Sequence, residues 1–298
     1  MSAPTTAVPS SRLPAAYAIG MIAMVLWAAS PAATRFMVNE IPPVVAGLAR
    51  IVFAAALALP MVLLLRLPLP KGRVQWKLTL ISVVIGFTAF PLVYTYGISL
   101  TSTAHAALIL AALPAIVGGV GAMVERHMPG RMWFLGVCVA MAGEWLLITT
   151  PESSGTATLT GDLVCLLACL FCGAGYVAGS RLSAHIGTWS ATFWVMGLAG
   201  LAQLPVLLWI GRDVDWTALS SEAWGGLLFM SFAIGILGYA AWYWALKEGG
   251  VVRMAPLQFT QPLFSLVFAV ALFSEAITMP IVVAAVTILA GIAISRRG

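Results

Sequence analysis

A chain of 298 residues in which 61% are hydrophobic and only 8% charged lies far from soluble domains, where about a quarter of residues carry charge. Such a composition excludes a water-soluble enzyme and points to an all-α integral membrane protein. The formal charge of +5 invites a nucleic-acid partner, but its placement along the chain argues against one.

Crossing roughly 30 Å of hydrocarbon takes about 20 mostly apolar residues in a helix, and ten stretches of that kind fill the sequence. Helices are required, because in lipid each segment must satisfy its own backbone hydrogen bonds and the runs are too continuous for barrel strands. Residues 1–14 precede them as a short tail. The first predicted span, 15–36, carries Trp27 and Ser30 near its middle. Arg12, the apolar run and the small residues Ala28, Ala29 and Ser30 resemble a cleavable leader. Pro31 after the cut, and a counterpart of this span later in the chain, argue that it is retained. The second span, 43–65, contains Arg50, and the third, 76–98, contains Thr88 and Tyr94. The fourth, 104–124, begins beside a lone His105 and holds Pro114; the fifth, 132–149, contains Glu144.

A linker, 151–159, is predicted on the periplasmic side. The sixth span, 162–182, holds Tyr176 together with Cys165, Cys169 and Cys172 at helical spacing. The seventh, 188–210, lacks charge. The eighth, 224–246, brings Tyr239 and Tyr243; the ninth, 252–274, brings Gln258, Gln261 and Pro262; the tenth, 278–295, ends before a short tail. With Cys138, the thiols all fall inside spans and read as small core residues. No His or carboxylate stands at ligand spacing beside them, so no metal and no other cofactor is expected.

With the amino terminus inside, the connectors on that side carry Arg12, Arg66, Lys71, Arg73, Lys77, Arg126, Arg131, Arg181, Lys247, Arg253, Arg296 and Arg297. Only Arg35 and Arg212 fall outside. Twelve against two is a strong positive-inside signal, so both termini are expected in the cytoplasm and the basic charge orients the chain.

Sliding the sequence on itself by about 148 positions sets Pro114 on Pro262, Gly143 on Gly291, and Tyr94 and Tyr96 on Trp242 and Trp244. A shift of 146 sets Arg35 on Arg181. Residues 15–150 and 160–298 thus read as two repeats of five spans each. Five is odd, so the halves enter the membrane from opposite faces, the plan of many carriers with a site between the halves.

These residues resemble the drug/metabolite transporter superfamily, and its EamA-type members in particular. The resemblance is carried by Trp27, Ser30 and Pro31, by Arg50, and by the run from Tyr94 through Gly97 and Ala104 to Pro114 and Glu125. The second half repeats it with Trp244, Ala245, Leu246, Pro262 and Glu275. It covers essentially the whole chain and looks closest to the YddG-type amino-acid exporters of bacterial inner membranes. It implies ten transmembrane helices in two inverted five-helix repeats, and export of amino acids by alternating access. One departure lies in the carboxylates: Glu125 follows Pro114 by eleven residues and Glu275 follows Pro262 by thirteen. Both read as capping or exposed groups.

Arg50 and Glu144 are the charges well inside the spans, where each costs about 2.5–3.5 kcal/mol on insertion scales. A rise of roughly 1.5 Å per residue puts both about 10 Å below the outer surface. Met196 and Ile292 stand at their repeat positions, so the second half lacks both charges together. A structural ion pair between Arg50 and Glu144 is therefore expected, the alternative being separate snorkelling to the headgroups. Glu144 is also the candidate for proton coupling, a role that a firm pair would oppose by holding the carboxylate ionised.

Hydroxyls, amides and aromatic faces near the midplane suit a zwitterionic or uncharged solute, which makes Trp27, Ser30, Thr88, Tyr94, Tyr176, Tyr239, Tyr243, Gln258 and Gln261 the substrate-binding candidates. Thr88 and Ser30 have the alternative of bonding a carbonyl one turn back. Trp242, Trp244 and Tyr96 read instead as an interfacial belt. Pro114 and Pro262, at matching places, are the expected hinges.

The sequence holds no helix motif of paired His, no Gly-flanked nucleophilic Ser, no Cys and His pair at catalytic spacing and no phosphate-cradling glycine loop. Neither an enzyme nor ATP-driven transport is expected. Inverted halves suit a carrier better than a channel. The expected partners are a small-molecule substrate and membrane lipid, with a drug-like cation as the alternative substrate. Nothing in the sequence sets the oligomeric state.

Overall fold

The computed structural model describes residues 12–100, 109–110, 112–126, 128–148, 158–261, 263–264, 267–268, 271 and 279–297, and for Pro31, Arg35, Thr95, Ile98, Ser99, Glu144, Leu147, Ile148, Pro280 and Ile281 it describes the backbone alone. Ten helical columns follow one another among these residues. They are α1 Leu13–Val38, broken at Ala29; α2 Pro43–Leu64; and α3, built of Gly72–Leu80, a π-wound stretch Ile81–Ala89, and Phe90–Leu100. Next come α4 Leu113–Glu125, α5 Arg131–Ile148, α6 Leu159–Ile186 and α7 Thr188–Ile210. Then α8 joins Ser221–Leu228, the π-wound Phe229–Gly238, and Tyr239–Gly249; α9 starts as Val251–Met254 and tightens to a 3-10 turn, Ala255–Thr260; α10 is Met279–Ser295. Among the described residues, α1, α2, α3, α6, α7 and α8 each contain a stretch long and apolar enough to cross a membrane, and α4, α5 and α10 contain shorter apolar helices. Large apolar side chains such as Leu63, Leu64, Leu208 and Trp209 point outward, as they do where the surrounding solvent is lipid.

Local chemistry sets the boundaries. Prolines stand in the first turns of α1, α2 and α4, where the missing N–H has no partner to lose. The Thr158 hydroxyl accepts the Gly161 N–H at 3.1 Å and caps α6; the Ser220 hydroxyl accepts the Ala223 N–H at 3.2 Å and caps α8. Gly187 and Gly250, at φ of 86° and 81°, make one-residue turns from α6 to α7 and from α8 to α9, a conformation that favours glycine.

Contacts at the helix ends fix how the columns run. Arg12, at the start of α1, bridges Glu248, at the end of α8, at 3.1 Å. Arg181, near the end of α6, donates to the Val124 carbonyl at the end of α4 at 2.8 Å, and the Glu125 carboxylate accepts the Val251 N–H at the start of α9 at 3.0 Å. One end of the bundle therefore holds the start of α1 and the end of α6, and these counterpart helices run in opposite senses.

At the other end, the Glu40 carboxylate accepts both the hydroxyl of Ser220 and its N–H, the latter at 2.8 Å. These two bonds, the hydroxyl first, hold the Glu40 carboxyl below the usual carboxylate range. A pKa lowered in the fold means that the tie contributes stability above the unfolded value and loses it as pH falls through the lowered one. Wild-type and Glu40→Gln proteins should therefore differ most in melting temperature near neutral pH and converge as the pH falls through the lowered value. A difference that stays constant across that range would refute the tie.

The duplication is visible in the backbone itself. The two π-wound stretches start at Ile81 and Phe229, at the spacing of the sequence repeat. Packing repeats too: α3 lies on α6 as α8 lies on α1, and α3 meets α7 as α8 meets α2. The α2–α7 and α5–α10 pairs are their own counterparts, so they join the halves across the pseudo-two-fold. Both use small residues to bring backbones together. A Cβ on Gly200 of α7 would lie 2.2 Å from Ala55 Cβ on α2, and one on Gly291 of α10 would lie 2.4 Å from the Ala140 nitrogen on α5.

Candidate functional site

Aromatic side chains from α1, α6 and α8 meet at one place. Trp27, midway along α1, stacks on Tyr176 of α6 with ring centroids 5.7 Å apart and planes at 19°. It also meets Tyr239 at 5.0 Å and Trp242 at 5.8 Å, both on α8. Tyr176 stands edge-on to Tyr239 at 6.1 Å and to Trp242 at 6.2 Å. Phe87 of α3 packs on Tyr239 at 4.6 Å, and Tyr243 lies 5.9 Å beyond Tyr239. These separations are those of favourable aromatic pairs. Tyr239, Tyr243 and Trp242 share one face of α8 because positions three and four apart lie above one another on a helix.

Glycine and the π-winding make room for this group. A Cβ on Gly179 would fall 2.2 Å from Tyr243 Cζ, and one on Gly238 would fall 2.6 Å from Trp27 Nε1. A π turn spaces its backbone bonds more widely and leaves carbonyls for other donors. Trp27 Nε1–H donates to the Ile234 carbonyl of the α8 π stretch at 3.4 Å, and Gln203 Nε2–H of α7 donates to the Phe87 carbonyl of the α3 π stretch at 3.0 Å. Each half thus sends a side chain into the π stretch of the other.

Four buried polar atoms, Arg50 Nε, Trp242 Nε1, Tyr243 Oη and Gln258 Oε1, meet no hydrogen-bond partner among the described residues. Leaving a buried donor or acceptor unsatisfied costs about 1–3 kcal/mol, so such groups mark either strain or a place where a ligand binds. The Arg50 charge acts on Tyr239, while the other electrostatic neighbours of Tyr176, Tyr239 and Tyr243 are Cys172 of α6 and one another. No carboxylate among the described residues acts on these tyrosines.

The structure brings Trp27, Tyr176, Tyr239 and Tyr243 together, and the Arg50 charge reaches Tyr239 among them. Gln258 is buried on α9 next to Leu257, which shares an apolar core with Trp27. Tyr94 lies apart, packed on Phe90 at 5.9 Å and facing Cys165 and Cys169 of α6. The Thr88 hydroxyl bonds the Val83 carbonyl at 3.0 Å, its own-helix alternative. Ser30 opens the second segment of α1, and Gln261 follows the 3-10 turn half-buried. Pro114 sits in the first turn of α4 and is buried; Pro262 and His105 lie outside the described residues, as does the side chain of Glu144. Trp242 corrects the sequence reading. Expected in the interfacial belt, it is 0% exposed and belongs to the aromatic cluster. Its spacing of three from Tyr239 was the signal, outweighed by its nearness to the end of the predicted span. Tyr96, by contrast, is 62% exposed.

The model of the EamA-like transporter family matches twice, over residues 14–149 and 159–297. The chain belongs to the EamA-like transporter family. Its relatives include an uncharacterized transporter, YdeK, of Bacillus subtilis (strain 168), 27% identical over 93% of this chain and 96% of that protein. A probable amino-acid metabolite efflux pump of Salmonella typhimurium is 25% identical over 94% of each chain. A crystal structure 19% identical in sequence superposes with a TM-score of 0.78 over 94% of this chain and 96% of its own, and shows the same fold. This EamA protein is thus a membrane-embedded transporter of small molecules, not an enzyme. The family's two matched units meet at the aromatic cluster, with Trp27, Arg50 and Phe87 from one and Tyr176, Tyr239, Trp242 and Tyr243 from the other.

Proposed function

We propose that the protein is a secondary carrier that exports amino acids across the bacterial inner membrane, one five-helix half rocking against the other so that the aromatic cluster opens alternately to either side. The observation that carries this reading is the cluster itself, contributed by both halves near the middle of α1, α6 and α8 and edged by unsatisfied polar atoms. In the described conformation the rings touch one another, so a solute enters by parting them. An amino acid supplies polar groups for the unsatisfied atoms and an apolar side chain for the ring faces.

The efflux-pump name of the Salmonella relative favours amino acids, and the lack of a described carboxylate acting on the tyrosines disfavours the alternative of a drug-like cation. The basic end of the bundle faces the cytoplasm with both termini, and the linker 151–159 faces the periplasm, by the positive-inside rule. Pro262 lets α9 flex, while Pro114, in the first turn of α4, costs that helix no backbone bond, and Glu144 is the residue through which proton coupling acts.

The test is uptake by purified protein in proteoliposomes across a panel of labelled amino acids, with and without an imposed pH step. Saturable counterflow of at least one amino acid is expected. Transport indifferent to the pH step would remove coupling through Glu144. Counterflow of a hydrophobic cation with every amino acid inert would favour the alternative substrate, and ion conductance without counterflow would reject the carrier.

A further inference from the structure

We infer, on the carrier reading above, that the Arg50 guanidinium is the anchor for a carboxylate on the substrate, so that a free carboxylate rather than an amino group admits a molecule to the site. An arginine within a span is costly and is retained where it pairs or lines a polar path. The Nε–H of Arg50 is buried and meets no hydrogen-bond partner among the described residues. A guanidinium presents its donors as a planar fork matched to the two oxygens of a carboxylate.

The surroundings direct this fork toward the aromatic cluster. One turn along α2 from Arg50, the Cβ of Ala54 lies 3.6 Å from where a Cβ on Gly235 would be, in the π stretch of α8. Ala46 and Ala54, one turn to either side of Arg50 on α2, are buried and short, so they leave room beside its side chain. Its charge reaches Tyr239. The other unsatisfied groups on α8 are the Trp242 indole N–H and the Tyr243 hydroxyl, which are donors as well. Three unsatisfied groups that can donate stand against one acceptor, Gln258 Oε1, so the cluster, with no described carboxylate acting on its tyrosines, suits a ligand rich in acceptors. Met196, buried, stands at the repeat position of Arg50, so there is one anchor for the two halves and a single carboxylate is held per cycle.

The experiment compares leucine with its primary amide, with the amine left by removing its carboxylate, and with the acid left by removing its amino group. Thermal shift of the detergent-solubilised protein reports binding, and counterflow in proteoliposomes reports transport. The two carboxylates are expected to raise the melting temperature, and the amide and amine are not. Arg50→Gln should weaken leucine binding roughly 30-fold, as removal of one partner from a buried charge pair does. Arg50→Lys keeps the charge but not the fork, and should bind the carboxylates more weakly while still preferring them; it reports even if the Gln variant does not fold.

Equal shifts with leucine and its amide would overturn the anchor while leaving amino-acid export standing. Carboxylate-dependent shifts without exchange of any amino acid would uphold the anchor and sink amino-acid export. No carboxylate-dependent shift at all overturns the anchor whatever is transported. If Arg50 serves only to pair with Glu144, adding Glu144→Gln to Arg50→Gln should restore leucine binding, and that restoration would also overturn the proposal.

Discussion

Replacing Gly136 with alanine is expected to force α5 and α10 apart and to lower the melting temperature of the solubilised protein by several degrees. A Cβ at Gly136 would lie 2.2 Å from the Ser295 nitrogen and 2.5 Å from the Gly291 carbonyl oxygen. Two turns further along α5, one on Gly143 would lie 2.9 Å from the Ala284 carbonyl oxygen of α10. All these neighbours are backbone and cannot swing aside, so a helix must move. Overpacking a well-packed interior costs about 1–3 kcal/mol, and a contact made wholly of backbone belongs at the upper end. Because lipid is as apolar as the helices, close packing is a main force holding these columns together. The same methyl at Gly47 or Gly119, where nothing lies within 4 Å, should leave the melting temperature unchanged or slightly raised, since alanine favours a helix by about 1 kcal/mol over glycine. Should Gly136→Ala melt with these controls, the α5–α10 contact is looser than its geometry states.

The ten columns, their order and their duplication are legible in the sequence because lipid makes each span declare itself by apolar length. What sits inside a span is harder to read. The π-winding of Ile81–Ala89 and Phe229–Gly238 is a matter of backbone spacing, and neither stretch bears a composition that announces it. Pro60 and Pro205, both inside their helices, fall at nearly the repeat distance on the paired columns α2 and α7. They were nonetheless less conspicuous than Pro114, which turns out to open a helix where a proline is undemanding. The aromatic cluster was half visible: Trp27, Tyr176, Tyr239 and Tyr243 could be placed near the midplane by counting residues, but counting cannot say which neighbour faces which. Tyr94, at a similar depth, points to Cys165 and Cys169 instead, while Trp242, near the predicted end of a span, points inward. Depth follows from position along a helix, whereas partnership follows from rotation about it, and rotation is set by contacts such as Gly86 against Gly175 that only the assembled bundle reveals.

Gly179→Ala is expected to abolish transport, and the reason can be separated from loss of fold by a second substitution. The added methyl would sit 2.2 Å from Tyr243 Cζ, 2.3 Å from Cε1 and 2.5 Å from Oη. Tyr243 is 1% exposed and lies against Tyr239, so its ring cannot rotate into free space and either the ring or α6 must shift. A shift of either disturbs the cluster, because Tyr176 lies three residues before Gly179 on the same helix and Tyr239 one turn before Tyr243. Shortening the obstructing ring with Tyr243→Leu should relieve the clash. The double variant should therefore melt close to Tyr243→Leu alone, whereas Gly179→Ala melts well below wild type, giving a coupling energy of about 1–3 kcal/mol between neighbours. Transport should stay lost in the double variant, since the Tyr243 hydroxyl, buried and unsatisfied in the closed cluster, is then missing when the solute arrives. If instead the double variant transports as well as wild type, Tyr243 is packing alone and the binding surface ends at Tyr239.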